Sequence, residues 1–283
     1  MVTSSQVYEC MANASALSLG AILEPLAHPK PGAVTRVEGQ SDKDIFDFAL
    51  NHEAVERGAL VACVKVAEGA EDPIAAGLEE YLRAVKEMRL RANVGLGQAL
   101  MIIPLASASL GRPDIKGLCR MASELVRRST PRASEVYYEL LRLLAPSHLG
   151  RYWGPLPDVS EGRPTVGLGE VLNAVDDITS QEVVNGYRLT QAVAEIMRRE
   201  AKEGYERALV RAYSYLASAV QDSLLARSKG IRASLIAAAE ASLAGNFELL
   251  DRLWRSRSWN LGSILDVLSA AASLLAYESL ALI

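Results

Sequence analysis

Apolar residues recur along most of the chain with the spacing of amphipathic or buried helices. In residues 74–91 they stand three and four positions apart, which places them on one face of a helix: Leu78, Leu82, Val85 and Met88. Residues 99–110 are almost continuously apolar, which predicts a helix buried on all sides. No run alternates apolar and polar residues as an exposed strand would. We therefore predict an all-α protein.

Prolines and glycines divide this pattern into helices. The segment His28–Gly32 contains two prolines and a glycine, so it ends the first helix. Pro113 and Pro131 take the favoured first position of two later helices. Residues 145–179 form a long irregular segment, and Ser180 then caps the next helix. The prediction is one domain over residues 1–283, built as a single bundle of about ten helices with segment 145–179 inside it.

Composition and charge exclude several classes of partner. The chain has 283 residues, 50% of them hydrophobic, with 30 basic and 34 acidic residues, so its net charge is −4. Nothing in that total attracts a polyanion, so we expect no nucleic-acid partner. The longest apolar runs are about half of the ~20 residues that a membrane-spanning helix needs, so we expect no membrane partner. The chain begins without the pattern of a secretory signal, which favours the cytoplasm.

The cysteines and histidines offer little chemistry. The three cysteines, at positions 10, 63 and 119, are odd in number and lack metal-ligand spacing. They predict buried thiols in a reducing compartment. The three histidines are scattered, and the chain has no GxxxxGK[ST], HExxH, CxxC or GxSxG motif. Catalysis that depends on histidine is therefore not expected.

Polar residues cluster at the breaks between helices. Lys30, Gly32 and Arg36 surround a rigid turn that suits phosphate oxygens, although an ordinary connector has the same composition. Asp44 lies among acids that open a helix, where capping is an equally simple explanation. Asn93 and Gly97 precede the apolar helix, where small residues let a ligand reach free N–H groups or serve only as structural glycines.

Two further polar segments lie in the second half of the chain. Asp222 stands in apolar surroundings and is costly there unless it is paired or bound to a metal; a pair with Arg227 is one alternative. Ser223 and Lys229 belong to the same segment, and the second segment contains Asn260, Ser263 and Asp266. Acids and cations together at helix ends are what a magnesium-bound polyphosphate needs. The residues alone therefore indicate an all-α enzyme with a phosphate-bearing ligand.

These segments, in this order, resemble the triphosphoribosyl-dephospho-coenzyme A synthase family, in its archaeal-type form. The matching motifs are Lys30-Pro31-Gly32-Ala33-Val34, Lys43-Asp44-Ile45 with Phe48, Asn93-Val94-Gly95-Leu96-Gly97, Pro104-Leu105-Ala106, Asp222-Ser223-Leu224-Leu225-Ala226-Arg227-Ser228-Lys229-Gly230 and Asn260-Leu261-Gly262-Ser263-Ile264-Leu265-Asp266-Val267. The resemblance covers about residues 10–280. Val94, Gly95, Leu261 and Ser223 depart from the family pattern, which has polar residues, a proline and a threonine at these positions.

The resemblance implies a transferase that joins the triphosphoribosyl part of ATP to the 2′-hydroxyl of dephospho-coenzyme A and releases adenine. We predict that a carboxylate at Asp222 stabilises the ribosyl cation or takes the hydroxyl proton, and that Asn93 orients ribose or base. Mg²⁺ is expected with ATP, on Asp44, Asp222 and Asp266. The expected substrate-binding residues are Lys30, Gly32, Arg36, Gly97, Ser223, Arg227, Lys229, Asn260 and Ser263.

Two other hypotheses stay open at this point. The chain could be an all-α enzyme for another nucleotide or phosphoribosyl substrate, as the changed residues at 94 and 95 would allow. It could also be a non-catalytic helical protein that binds a nucleotide, in which the Ala/Leu-rich C-terminal helix forms the interface of a homodimer.

Overall fold

A computed structural model of the chain describes residues 2–91, 94–144, 154–160 and 162–280, and their regular structure is entirely helical. The helices are α1 (Ser4–Ser18), α2 (Gly20–Leu26), α3 (Ile45–Ala67), α4 (Pro73–Met88), α5 (Leu96–Ser107), α6 (Ile115–Arg127), α7 (Pro131–Leu144), α8 (Leu168–Asn173), α9 (Ile178–Val184), α10 (Arg188–Glu200), α11 (Tyr205–Ala219), α12 (Ser223–Lys229), α13 (Ile231–Leu243), α14 (Phe247–Ser256) and α15 (Gly262–Leu280). A short 3₁₀ turn, Ala201–Glu203, follows α10.

The all-α prediction is confirmed, but the expected number of about ten helices was too low. Helices α2, α8, α9 and α12 have only six or seven residues each, so no repeating apolar face reveals them in the sequence. Two of these short helices, α8 and the start of α9, lie within the segment 145–179 that was predicted to be irregular. Residues 145–153 and 161 of that segment lie outside the described residues.

Side-chain caps set many of the helix starts. Thr3, Asp44, Asp72 and Asp114 each accept a hydrogen bond from a first-turn N–H of α1, α3, α4 and α6. Helix α9 was expected to begin at a cap formed by Ser180. Its cap is instead the carboxylate of Asp177, which accepts a hydrogen bond from the Ser180 backbone N–H at 3.0 Å.

Helix α15 runs through the middle of the core. It packs against α1, α2, α5, α10 and α11, and most of its apolar side chains are buried, with Val267, Leu268 and Leu274 fully so. Gly20 of α2 lets it approach closely, because a Cβ there would lie 2.1 Å from the Ser269 carbonyl oxygen. The apolar sequence of this helix is therefore explained within one chain, and it is not the exposed dimer face considered above. A homodimer and the single-domain arrangement both stay predictions.

The cysteines correct another expectation. Cys10 of α1 and Cys63 of α3 form a disulfide, so the prediction of three free thiols holds only for Cys119. The pairing was invisible in the sequence because the two residues are 53 positions apart and meet only where α1 packs on α3. Burial, and secondarily the charge of Glu182, raises the pKa of the Cys119 thiol to about 12. In the described parts of the chain, no helix combines the length and hydropathy needed to cross a membrane.

Candidate functional site

A cavity of about 510 Å³ opens between the start of α5, the end of α7, α8, the start of α9, and the first turns of α12 and α15. We call it the main cavity. Its polar lining residues, which we call the polar wall, include Glu24, Lys43, Asp176, Asp177, Arg227, Asn260, Ser263 and Asp266. Its largely apolar lining residues include Tyr137, Tyr138, Leu141, Leu144, Leu156, Pro157, Val159, Val171 and Val175. A ligand with both a charged and an apolar part fits such a division.

Asp177 is the centre of a hydrogen-bonded network in the polar wall. Its Oδ1 accepts hydrogen bonds from the Ser223 hydroxyl at 2.7 Å and from Arg227 Nη1 at 2.7 Å. The Ser263 hydroxyl lies 3.4 Å from the same oxygen and 2.8 Å from the Ser223 hydroxyl, within hydrogen-bond distance of both. The network therefore joins the starts of α9, α12 and α15, which are far apart in sequence.

The environment of Asp177 keeps its carboxylate ionised. Burial alone would raise its pKa, but the Arg227 guanidinium and the hydrogen bonds from Ser223 and the Ser180 backbone N–H outweigh burial. The net effect is a pKa below the usual value of an aspartate. Asp177 thus presents a fixed negative charge in the cavity wall at neutral pH. Sequence reasoning missed this residue because it lies in segment 145–179, which was predicted to be irregular and gave no candidate site residue.

Asp266 provides a second carboxyl group, from the first turns of α15. It lies against the start of α5, so close that a Cβ on Gly97 would be 1.9 Å from Asp266 Oδ2. Glycine at position 97 therefore makes room for this side chain. Burial, then the charges of Asp177, Glu24 and Asp222, raise the pKa of Asp266 well above its ordinary value, and Lys43 opposes them. Asp177 and Asp266 thus share one cavity in contrasting electrostatic environments.

Lys43 is the cation that the polar wall contributes from the segment before α3. It is buried, and burial lowers the pKa of its ammonium group, while Asp42, Asp266, Asp47 and Glu24 raise it. The prediction singled out its neighbour Asp44 instead. Asp44 is the N-cap of α3, where its carboxylate accepts a hydrogen bond from the Phe46 backbone N–H at 2.8 Å, and it does not line the cavity. Its geometry is that of the simpler alternative, a helix cap.

Asp222 is buried beside the cavity rather than in its lining. Its Oδ1 accepts a hydrogen bond from the Leu225 backbone N–H at 2.7 Å, and its Oδ2 accepts one from the Ile264 N–H at 2.9 Å. Burial raises its pKa to about 6, although these two hydrogen bonds act in the opposite direction. One carboxylate therefore caps α12 and α15 together. Arg227, considered above as its partner, is paired with Asp177 instead.

Four other predicted substrate-binding residues lie away from the main cavity. Lys30 is fully buried in an ion pair with Glu24, and Arg36 pairs with Glu206 near the surface. Gly32 donates its backbone N–H to Asp251 Oδ1 at 2.7 Å, and Lys229 is exposed at the end of α12.

The structure does bring a second group of predicted residues together. Gly97, Arg227, Asn260, Ser263 and Asp266 all line the main cavity, and Ser223 bonds to two of the side chains in its wall. Asn93 lies outside the described residues. The Asn260 side-chain oxygen is buried and has no hydrogen-bond partner in the described part of the chain. A buried acceptor without a donor is costly, so this oxygen is suited to bind a ligand group.

Comparison with known proteins identifies the family. Residues 10–281 match the model of the family described as ATP:dephospho-CoA triphosphoribosyl transferase (CitG). The chain belongs to this family. The match covers nearly the whole sequence, so it confirms the prediction from the ordered motifs, and with it the transferase activity: transfer of a triphosphoribosyl group from ATP to dephospho-CoA.

A solved structure shares the fold of this transferase. It is a crystal structure of a candidate triphosphoribosyl-dephospho-CoA synthase from Archaeoglobus fulgidus, with a TM-score of 0.61 and 23% sequence identity. The similarity covers 80% of the present chain and 98% of that one. At 23% identity, this similarity is evidence for the fold alone. No curated protein matches the sequence.

Of the three aspartates predicted to bind Mg²⁺, the structure places only Asp266 in the lining of the main cavity. Among the described residues, no group of three His, Cys, Asp or Glu side chains could hold a metal ion alone. Mg²⁺ in nucleotide enzymes commonly needs just one or two carboxylates, because substrate phosphates and water complete its coordination. Asp266 lines the cavity and suits that arrangement. Asp44 lies outside the cavity lining, and both carboxylate oxygens of Asp222 already accept backbone hydrogen bonds.

Proposed function

We propose that the main cavity binds ATP and 3′-dephospho-CoA side by side and joins the triphosphoribosyl group to the 2′-hydroxyl of the acceptor, releasing adenine. The observation that carries this proposal is the network around Asp177. It gathers residues from three separate segments of the chain into one cavity wall, next to an apolar surface large enough for a base or a pantetheine arm.

In this proposal, Asp177 is the catalytic carboxylate. The bond between ribose C1′ and adenine breaks, adenine leaves with the electron pair and takes up one proton, and the acceptor oxygen loses its proton and forms the new bond to C1′. Positive charge develops on the ribose as the bond breaks, and a fixed carboxylate stabilises it. The same ionised group can accept the proton that the 2′-hydroxyl loses. Asp177 suits the electrostatic task because its low pKa keeps it ionised and because it lines the main cavity, whereas Asp222 lies outside that lining.

The cations and amides of the polar wall would bind the phosphates and the sugar. Arg227 is half-exposed and uses Nη1 to contact Asp177, so its remaining N–H groups can reach a phosphate. Lys43 adds a second positive charge on the same side, and the unpartnered Asn260 oxygen can accept a hydrogen bond from a ribose hydroxyl or a base. Lys30 would act indirectly, by holding Glu24 in the wall.

We also propose Mg²⁺ as the metal that accompanies ATP, with Asp266 as the protein ligand. Bound there, the ion would neutralise charge on the triphosphate. Gly97 would then have a definite purpose, because any larger residue displaces the Asp266 carboxylate. ATP and dephospho-CoA are cytoplasmic metabolites, so we propose that the enzyme acts in the cytoplasm. The absence of a nucleic-acid partner stays a prediction.

The test is release of adenine from ATP by the purified protein in the presence of Mg²⁺ and dephospho-CoA, followed by chromatography. We expect adenine and the coupled product in equal amounts. We expect Asp177→Asn to lower kcat by about 10²-fold or more, in the range of a lost acid–base or electrostatic group. Asn is itself a good N-cap, so α9 should survive the change.

Asp114→Asn is the matched control. Asp114 caps α6 in the same way, through a hydrogen bond from the Gly117 N–H at 2.8 Å, and it does not line the main cavity. We expect full activity from this variant. ATP binding without adenine release would instead support an enzyme for a different phosphoribosyl acceptor. A protein that binds no nucleotide would refute the proposed function, and unchanged kcat in Asp177→Asn would refute the role of Asp177.

A further inference from the structure

A second concave site lies on the protein surface, away from the residues of the main cavity. It is a cleft of about 400 Å³ between α6 and the junction of α9 with α10. We call it the basic cleft. Four of the eight residues that line it are cationic and none is acidic: Lys116, Arg120, Ser123, Arg127, Asn185, Gly186, Arg188 and Gln191. No motif of the sequence analysis includes these residues, and the proposed reaction does not use them.

Helical spacing explains why the cations converge. Lys116, Arg120 and Arg127 are four and seven residues apart on α6, so they lie along one face of that helix. Arg188 is the first residue of α10, across the cleft. The total of −4 for the whole chain therefore conceals a locally positive surface.

The acidic partners usual for surface cations are scarce in this cleft. Arg120 pairs with Glu124 on its own helix at 3.1 Å. Within the described residues, Lys116, Arg127 and Arg188 form no salt bridge. Surface cations elsewhere in the protein are commonly paired, for example Arg57 with Glu80 and Glu87. Three unpaired cations facing one concavity repel one another, and an anion between them would relieve that repulsion.

Hydrogen bonds fix the floor of the cleft. The buried Ser123 hydroxyl donates to the Val183 carbonyl oxygen at 2.6 Å and accepts a hydrogen bond from the Gly186 N–H at 2.9 Å. Arg127 Nη1 donates to the Val184 carbonyl oxygen at 2.7 Å, which holds its guanidinium at the edge of the cleft. These bonds tie α6 to the end of α9. The site is therefore largely formed before any ligand arrives, which reduces the entropic cost of binding.

Gly186 is held in the floor of the cleft by two hydrogen bonds: its N–H donates to Ser123 Oγ at 2.9 Å, and its carbonyl oxygen accepts from Gln191 Nε2 at 2.7 Å. Its φ of +86° is a conformation that favours glycine, and a Cβ at this position would meet nothing within 4 Å. The polar amides of Asn185 and Gln191 flank it and add hydrogen-bonding groups to the cations. The cations and the side-chain amides together match a small anion with several oxygens.

We infer that the basic cleft is a second ligand site, which binds a small phosphate-bearing anion through Lys116, Arg127 and Arg188. Arginine and lysine side chains that converge on one point bind phosphate oxygens by charge-assisted hydrogen bonds. The cleft accommodates one or two phosphate groups. This inference is independent of the proposed roles of the main-cavity residues.

The test is calorimetric titration of the full-length protein with inorganic pyrophosphate at low salt. The wild type is compared with Lys116→Gln/Arg188→Gln. Both residues lie on the surface, so the fold should be retained, and thermal unfolding checks this. We expect the double variant to lose one binding site, or to bind at that site roughly tenfold or more weakly.

A second double variant, Lys202→Gln/Arg232→Gln, is the control. It removes the same charge from exposed residues that line neither cavity. We expect this variant to bind pyrophosphate like the wild type. Equal weakening in both double variants would show only a general effect of net charge and would overturn the inference. So would a Lys116→Gln/Arg188→Gln protein whose titration matches that of the wild type.

Discussion

The substitution Asp222→Asn distinguishes two possible roles of Asp222, which is buried beside the main cavity: a catalytic role and a structural role as a helix cap. If Asp222 carried out chemistry, as the sequence suggested, the substitution would abolish turnover and leave the fold intact. The structure instead shows its two oxygens accepting the Leu225 and Ile264 backbone N–H groups, which is a structural task. We therefore expect the variant to retain activity within a few-fold and to show its effect on stability.

The size of that effect depends on pH. The Asp222 carboxyl has a pKa of about 6 in the folded protein, against an ordinary value of 3.8. A pKa raised by folding means that the folded state binds the proton more tightly than the unfolded state. As pH falls from 8 to 4.5, the folded wild type takes up this proton while the unfolded chain stays ionised, so the wild type gains about 2 kcal/mol from this group.

The asparagine side chain of the variant cannot titrate, so the variant does not share this gain. That side chain can accept one of the two hydrogen bonds and directs an NH₂ group at the other N–H, which costs about 1–3 kcal/mol. At pH 8 the wild type buries an ionised carboxylate and the variant does not. This difference offsets the lost hydrogen bond, so the variant should be nearly as stable as the wild type. At pH 4.5 it should be less stable by about 2 kcal/mol or more.

Urea unfolding of both proteins across this pH range measures the difference directly. Subtracting the two curves removes the contributions of the other titrating groups, provided that they respond alike in both proteins. A free energy difference that does not change with pH would refute the linkage argument. A fall of about 10²-fold in kcat with unchanged stability would restore the catalytic role for Asp222.

Three further changes have definite expected outcomes. Gly97→Ala should lower kcat/KM at least tenfold with ATP, because the new Cβ would lie 1.9 Å from Asp266 Oδ2 and must displace that carboxyl. Arg227→Gln should raise KM and move the acidic limb of the pH–rate profile to higher pH, since the cation that lowers the pKa of Asp177 is lost. Cys10→Ala/Cys63→Ala should lower the free energy of unfolding by about 4 kcal/mol, from a closed loop of 53 residues.

Each of these changes has a control or a contradicting result. Gly245→Ala adds a methyl group where nothing lies within 4 Å, so it should leave kcat/KM unchanged. An Arg227→Gln protein with an unshifted acidic limb would show that Asp177 does not govern that limb. For the cysteines, equal urea midpoints of the double variant and the oxidised wild type would contradict a stabilising disulfide.

The sequence predicted the fold well where the helices are long. Apolar spacing located the start of α4 and Pro131 that of α7 to within one residue, whereas Pro113 precedes Asp114, the N-cap of α6, and so does not take the first position of that helix. Helices α2, α8 and α12 were missed because they have too few residues to show a repeating apolar face. The Cys10–Cys63 pair was missed for a different reason: nothing in the sequence places α1 against α3.

The site was predicted only in part, because local composition does not reveal which side of a helix end faces the cavity. Asp44 was selected among acids that open a helix and Asp222 as an acid in apolar surroundings, and both are helix caps. Asp177 has the same local appearance, yet it lies where three helices meet around a cavity. Only the packing of α9, α12 and α15 distinguishes these three aspartates.

The central position of α15 has a consequence for how the enzyme is made. On the ribosome, this helix emerges after every helix that it contacts, among them α1, α2, α5, α10 and α11. Until it emerges, the nascent chain has a hydrophobic groove where α15 will lie and lacks Ser263 and Asp266. A growing chain of this kind offers apolar surface to chaperones until α15 emerges, and only then does it have the residues of α15 that line the main cavity.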